Sequence, residues 1–109
     1  MRRFKKFRHN NTEITDINTI NDILDSDFEW FNYCEFEEAE VNIKYNTIIW
    51  ENGIFYNGRI KYIIWQDGVF KNGIFENGIW ENGIFENGKF ISGIWNDGEV
   101  KGGENPNKK

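Results

Sequence analysis

From residue 45 onward a large apolar side chain returns at every fifth position: Tyr45, Trp50, Phe55, Ile60, Trp65, Phe70, Phe75, Trp80, Phe85, Phe90, Trp95 and Val100. Three residues after each stands Gly53, Gly58, Gly68, Gly73, Gly78, Gly83, Gly88, Gly93, Gly98 or Gly103, with Ile48 and Ile63 as the two exceptions. Asn or Asp precedes most of these glycines, at Asn52, Asn57, Asp67, Asn72, Asn77, Asn82, Asn87 and Asp97. Twelve consecutive units with no insertion require each unit to sit on its neighbour in the same way, the logic of a quasi-one-dimensional fold.

Asn and Gly both tolerate positive φ, so each unit offers a corner and leaves about three residues extended between corners. Alternation along those residues puts the aromatic on one face and its Ile and Glu neighbours on the other. The glycine two positions before each aromatic shares the aromatic's side and leaves room for its ring. Two architectures satisfy this pattern. In a β-solenoid all corners bend one way and equivalent residues of successive turns stack at about 4.8 Å. In a meander each Asn-Gly is a type I′ hairpin turn between short antiparallel strands. The meander would line the rings along one face and need a cover that the sequence after residue 45 does not supply, so the coil is preferred. The number of sides stays open. Trp50, Trp65, Trp80 and Trp95 lie fifteen apart, as do Ile48 and Ile63, which fits three sides and sets Lys61 beside Glu76 and Glu86 between Lys71 and Lys101. A four-sided turn of twenty residues also gives mixed charge columns, with Glu51 beside Lys71 and Glu81 between Lys61 and Lys101.

The pentads resemble the pentapeptide-repeat family, whose four-sided right-handed β-helices place a small and then a large residue inward. Here Gly takes the small position, Phe or Trp the large one, and Ile the intermediate site where that family carries Asp or Asn. The "WENG" of residues 50–53 and 80–83 is similar to the W-x-x-G element of MORN repeats, whose units are longer β-hairpins. "NGIFENGIWENG" resembles the aromatic-glycine pentad tracts of phage and large-virus proteins. The resemblance covers about residues 45–104. It implies a repeat scaffold, and through the pentapeptide proteins an acidic inhibitor or DNA mimic.

With 109 residues, 39% hydrophobic and 17% aromatic, the chain supports one domain whose buried area is largely aromatic. Its abundant Asn, Ile, Phe and Lys point to an AT-rich coding genome, as in some bacteria and their phages. The net charge of −5 is unevenly laid out: Arg2, Arg3, Lys5, Lys6 and Arg8 are followed by ten acids and no base from Glu13 to Glu40. The basic start runs into "TEITDINTINDILD", which has neither an apolar h-region nor a small-residue cleavage site, so a cytoplasmic or virion-associated protein without a signal peptide is expected. No stretch approaches the roughly 18 apolar residues of a membrane span. A lone Cys34 leaves no internal disulfide and fits a reducing compartment.

Four segments are expected: a basic flexible arm over 1–11, an acidic N-terminal α/β cap over 12–44, the pentad solenoid over 45–104, and a polar tail over 105–109. Within the cap, Thr12 or Thr15 would start a helix carrying Ile14, Ile17, Ile20 or Ile23, and Leu24, with Glu13 and Asp16 in its first turn. "FEWFNYCEFEEAEVNIKY" reads as strands, with Phe31, Phe36 and Val41 anticipating the five-residue spacing. Such a cap would hide the strand edges and core rings of the first turn. The other end has no comparable cover, which favours end-to-end pairing through about residues 90–103.

Candidate chemistry is sparse. His9 with Cys34 makes a nucleophile pair by count alone, and one His with one Cys does not furnish a zinc site. Glu76, Glu81 and Glu86 recur with the repeat and read as a solvated face; "NDG" at 96–98 lacks the remaining ligands of a calcium loop. The evenly spaced glycines are turn residues rather than a phosphate loop. The sequence therefore predicts a non-enzymatic protein with no cofactor, metal or small-molecule substrate. The aromatics Trp50, Phe55, Trp65, Phe70, Phe75, Trp80, Phe85, Phe90 and Trp95 are its core, and Gly53, Gly58, Gly68, Gly73, Gly78, Gly83, Gly88, Gly93 and Gly98 its turns. Arg2, Arg3, Lys5, Lys6 and Arg8 are the candidate contacts to a partner, nucleic acid included. A structural or assembly protein, such as a phage particle component, docking on a protein partner or on its own copies, is the leading expectation. The alternatives are an acidic inhibitor or DNA mimic, and a glycan- or protein-binding module using exposed aromatics.

Overall fold

Tyr45 and Asn46, at φ of 55° and 54°, form the turn that folds β3 (Glu35–Lys44) back antiparallel onto β4 (Thr47–Asn57) in the computed structural model, which describes residues 2–105. Tyr45 is 85% exposed. The first member of the pentad series is thus a hairpin residue, and the coil proper begins with Trp50 on β4 rather than at 45. β4 then supplies two sides of the coil in one continuous strand, through Ile49–Trp50 and Ile54–Phe55.

Short strands follow at each pentad: β5 (Arg59–Ile60), β6 (Ile63–Trp65), β7 (Val69–Phe70), β8 (Ile74–Phe75), β9 (Gly78–Trp80), β10 (Ile84–Phe85), β11 (Lys89–Phe90), β12 (Ile94–Trp95) and β13 (Glu99–Val100). Every pairing among them is parallel and joins residues fifteen apart. Trp50, Trp65, Trp80 and Trp95 form one column. Phe55, Phe70, Phe85 and Val100 form the second, and Ile60, Phe75 and Phe90 the third. The fold is a three-sided β-solenoid. Parallel pairing excludes the meander, and the fifteen-residue register excludes the four-sided turn that the pentapeptide resemblance implies.

The core is a set of ring columns. Successive rings within a column lie 4.7–4.9 Å apart with planes 4–9° from parallel, while neighbouring columns meet edge to face. Both arrangements add about 0.5–1.5 kcal/mol per pair beyond area burial. Trp50, Phe55, Trp65, Phe70, Phe75, Trp80 and Phe85 have no exposed surface and Phe90 almost none.

The corners divide their work differently from the sequence expectation. The corner glycines take positive φ, but the Asn and Asp before them do not. The side chains of Asn52, Asn57, Asp67, Asn77, Asn82 and Asp97 instead accept the N–H of the following glycine at 2.8–2.9 Å. The glycines are needed for more than ring space. At Gly68 (φ +111°) a Cβ would sit 2.4 Å from the carbonyl oxygen of Gly53 one turn below, so the backbones of successive turns are packed too closely for any side chain there.

The cap is built from the rest of the chain. β3 runs beneath the first turn in the opposite direction, with Val41 opposite Trp50 and Phe36 opposite Phe55, and Phe31 stacks 4.9 Å from Phe36. Phe31, Phe36 and Val41, fifth-spaced in the sequence, are all fully buried there. Arg2–His9 is not a flexible arm: it forms β1, parallel to β3, with Phe4 and Phe7 turned into the cap core. β2 (Thr12–Glu13) pairs with its end, so Glu13 precedes the helix rather than opening it. Asp16 is the N-cap of α1 (Ile17–Asp27), accepting from the Thr19 amide at 3.0 Å, in place of Thr12 or Thr15. Ile20 and Leu24 are buried, Ile14 lies before the helix and Ile17 is exposed. Residues Glu29–Tyr33 form a 3-10 turn rather than a strand. Of the polar tail 105–109, only Asn105 falls within the described residues. No described helix is long and apolar enough to cross a membrane.

Candidate functional site

Because the Trp and Phe side chains point inward, the surface of the coil is made by the residues on either side of them. Registered by the fifteen-residue turn, these residues form columns whose chemistry differs from side to side. The first side carries Ile49, Ile64, Ile79 and Ile94 in one column and Glu51, Gln66, Glu81 and Asn96 in the next, with Asn52, Asp67, Asn82 and Asp97 at its corner. The second carries Ile54, Val69, Ile84 and Glu99 beside Tyr56, Lys71, Glu86 and Lys101. The third carries Arg59, Ile74 and Lys89 beside Lys61, Glu76 and Ile91, with Glu104 bridged to Lys89.

Charge is therefore sorted by side. The second and third sides carry ion pairs between neighbouring turns: Arg59 with Glu76 at 2.6 Å, Lys71 with Glu86 at 3.9 Å and Lys89 with Glu104 at 3.7 Å. Of the ladders read from the sequence, Lys71–Glu86 forms, while Glu76 pairs with Arg59 rather than Lys61. The first side carries Glu51, Asp67, Glu81 and Asp97 and not one Lys or Arg of the coil. Among the described residues only Glu51 is neutralised there, by Arg8 reaching over from β1. The isoleucine column beside these acids is half-buried at Ile49, Ile64 and Ile79 and reaches 57% exposure at Ile94.

The five basic residues of the predicted partner site are divided by β1. Arg2 donates to the Asn32 side chain at 2.8 Å and lies 5.7 Å over the Phe36 ring, and Arg8 is held by Glu51. Burial lowers the Arg2 pKa, which marks a guanidinium packed into the cap rather than offered to a partner. Arg3, Lys5 and Lys6 are exposed and remain a basic edge of three residues.

Cys34 is buried under the third side, its Sγ facing the Trp30 and Arg59 carbonyls at 3.7 and 3.8 Å. Burial pushes its pKa up to about 12, so the thiolate needed of a nucleophile is suppressed. Trp50, Trp65 and Trp80 expose neither ring face, and their indole N–H groups are buried without an acceptor among the described residues. These rings do not form the exposed aromatic platform of a glycan-binding module. A shallow groove between the end of α1 and the 3-10 turn carries the exposed Tyr33 beside Asp25, Asp27, Glu29, Trp30 and Lys61.

Sequence reasoning named the residues that build the scaffold, read Glu76, Glu81 and Glu86 as a solvated face and assigned the outward isoleucines no role. The signal that finds the first side is the absence of Lys and Arg from residues 47–52, 62–67, 77–82 and 92–97, legible only once the turn is known to be fifteen residues. Compared with known proteins, the chain matches no family model, no curated protein and no solved structure.

Proposed function

We propose that this protein is a non-enzymatic scaffold that docks on proteins, a structural or assembly element. The observation that carries this reading is the fixed register of its outer columns: rings stacked at 4.7–4.9 Å hold each outward side chain directly over its equivalent one turn below. A preformed array of this kind binds without paying the ordering cost that a flexible surface incurs. Self-association through the last turn is part of the same reading. Among the described residues Trp95 and Val100 have a coil turn on one side only, and both are half-buried. An inhibitor that mimics DNA fits less well, since Glu76, Glu86 and Glu104 on two of the three sides are paired with Lys or Arg instead of presenting a run of negative charge.

The test is cross-linking with mass spectrometry on the protein purified from its native source, together with sedimentation. A stoichiometric partner or a second copy cross-linked to coil residues supports docking. A strictly monomeric protein with no stoichiometric partner overturns it.

A further inference from the structure

The charge sorting and the isoleucine column coincide on one side of the coil, and this deepens the docking reading by giving it a face and a partner chemistry. We infer that the side bearing Ile49, Ile64, Ile79 and Ile94 receives a basic amphipathic α-helix of another protein, laid along the coil axis. The inference rests on the docking reading above.

Three observations carry it. First, the side is apolar and acidic together: the isoleucine column shares it with Glu81 in the next column and with Asp67 and Asp97 at the corner, none of which has an ion-pair partner among the described residues. A partner that covers the isoleucines must place cations over those carboxylates or leave them desolvated, so the surface selects aliphatic residues flanked by Lys or Arg. Second, the spacing fits a helix. Turns of a parallel coil repeat at about 4.8 Å and turns of an α-helix at 5.4 Å, so aliphatic residues at i, i+3 or i+4, i+7 and i+11 fall close to the four isoleucines in succession. Third, the described residues do not offer this partner themselves. Two such sides face to face would oppose acid to acid, and α1 carries Asp22, Asp25 and Asp27 with no base. The basic β1 is already paired with β3 and contributes only Arg8 to the rim of this side.

The other sides lack the combination. On the second, Glu99 ends the aliphatic column and Lys71 meets Glu86; on the third, Arg59 and Lys89 flank the single outward Ile74 of the strand column.

The test uses a synthetic Leu/Lys peptide with Leu at i, i+3, i+4 and i+7, and the same peptide with Glu for Lys. Binding is followed by methyl NMR of the isoleucines and by titration. The inference expects shifts at Ile49, Ile64, Ile79 and Ile94 and not at Ile54 or Ile84, with the Leu/Lys peptide only. Asp67→Lys with Glu81→Lys should weaken binding at least ten-fold, and Ile79→Thr should weaken it too, whereas Ile84→Thr and Glu86→Gln should leave it unchanged. Binding of both peptides alike, equal loss from the second-side variants, or silent first-side methyls overturns the assignment. Concentration-dependent shifts at the same methyls without peptide would make a second copy the occupant and overturn it as well. A partner cross-linked elsewhere on the coil would leave the docking reading standing while removing this face from it.

Discussion

At the scale of single residues, the corner glycines and the buried thiol make separable demands. A Cβ at Gly68 meets a backbone oxygen at 2.4 Å in a region of φ that side chains rarely adopt, and the neighbouring turn has no room to retreat. Gly68→Ala should therefore lower stability by more than about 2 kcal/mol, through strain and displacement of stacked turns. At Gly102 the nearest atom to such a Cβ is the Glu86 oxygen at 3.1 Å and φ is not positive, so Gly102→Ala should change stability by less than about 1 kcal/mol. Denaturant unfolding of the two variants checks the contrast. Cys34 sets a pH dependence. Burial pushes its folded pKa up to about 12, above the 9.0 of an ordinary thiol, so over that window the unfolded chain releases a proton that the folded chain keeps. The thiol's contribution is constant below about pH 9 and falls by about 1.4 kcal/mol per unit above it. Stability measured from pH 8 to 11 in parallel with Cys34→Ala should show the extra slope in the parent alone.

At the scale of the element, each five-residue side depends on how its corner is closed. The corner leaving the Trp side is closed by a side-chain acceptor at all four levels, through Asn52, Asp67, Asn82 and Asp97. Asn82→Ala removes the acceptor from a buried Gly83 N–H and should cost about 1 kcal/mol. Asn87 precedes Gly88 at an equivalent place in its pentad, but its side chain accepts no hydrogen bond from that glycine as Asn82 does from Gly83. Asn87→Ala should stay within about 0.5 kcal/mol in the same thermal unfolding assay. Asn-Gly is thus one motif in the sequence and two kinds of corner in the fold.

For the whole molecule, the two ends of the coil are unequal. The first turn rests on β3, β1 and the 3-10 turn, with Phe31 and Phe36 extending the ring stack downward. The last described turn is covered on one side only, and Trp95 is no longer fully buried. In a quasi-one-dimensional fold each turn is stabilised by its neighbours, so opening should start at the less covered end. Native-state hydrogen exchange should show amide protection falling from the level of Trp50 and Trp65 to that of Trp95 and Val100. Uniform protection along the coil would contradict this.

Taken by itself, the sequence determined what repeats within five residues from Trp50 on: which side chains are inward and where the corners fall. These depend on alternation and on glycine's backbone freedom, which act locally, and the ring positions from Trp50 to Phe90 are buried as the pattern requires. It did not determine the number of sides, because fifteen- and twenty-residue turns treat every pentad alike and differ only in the angle summed over several corners. Nor did it place Arg2–His9, whose strand partner lies more than thirty residues away and whose Arg2 and Arg8 are held by Asn32 and Glu51. The tertiary structure decided both, and with them the sorting of acids and isoleucines onto one side. That surface exists only because residues fifteen apart are brought one above another, a relation no single pentad contains.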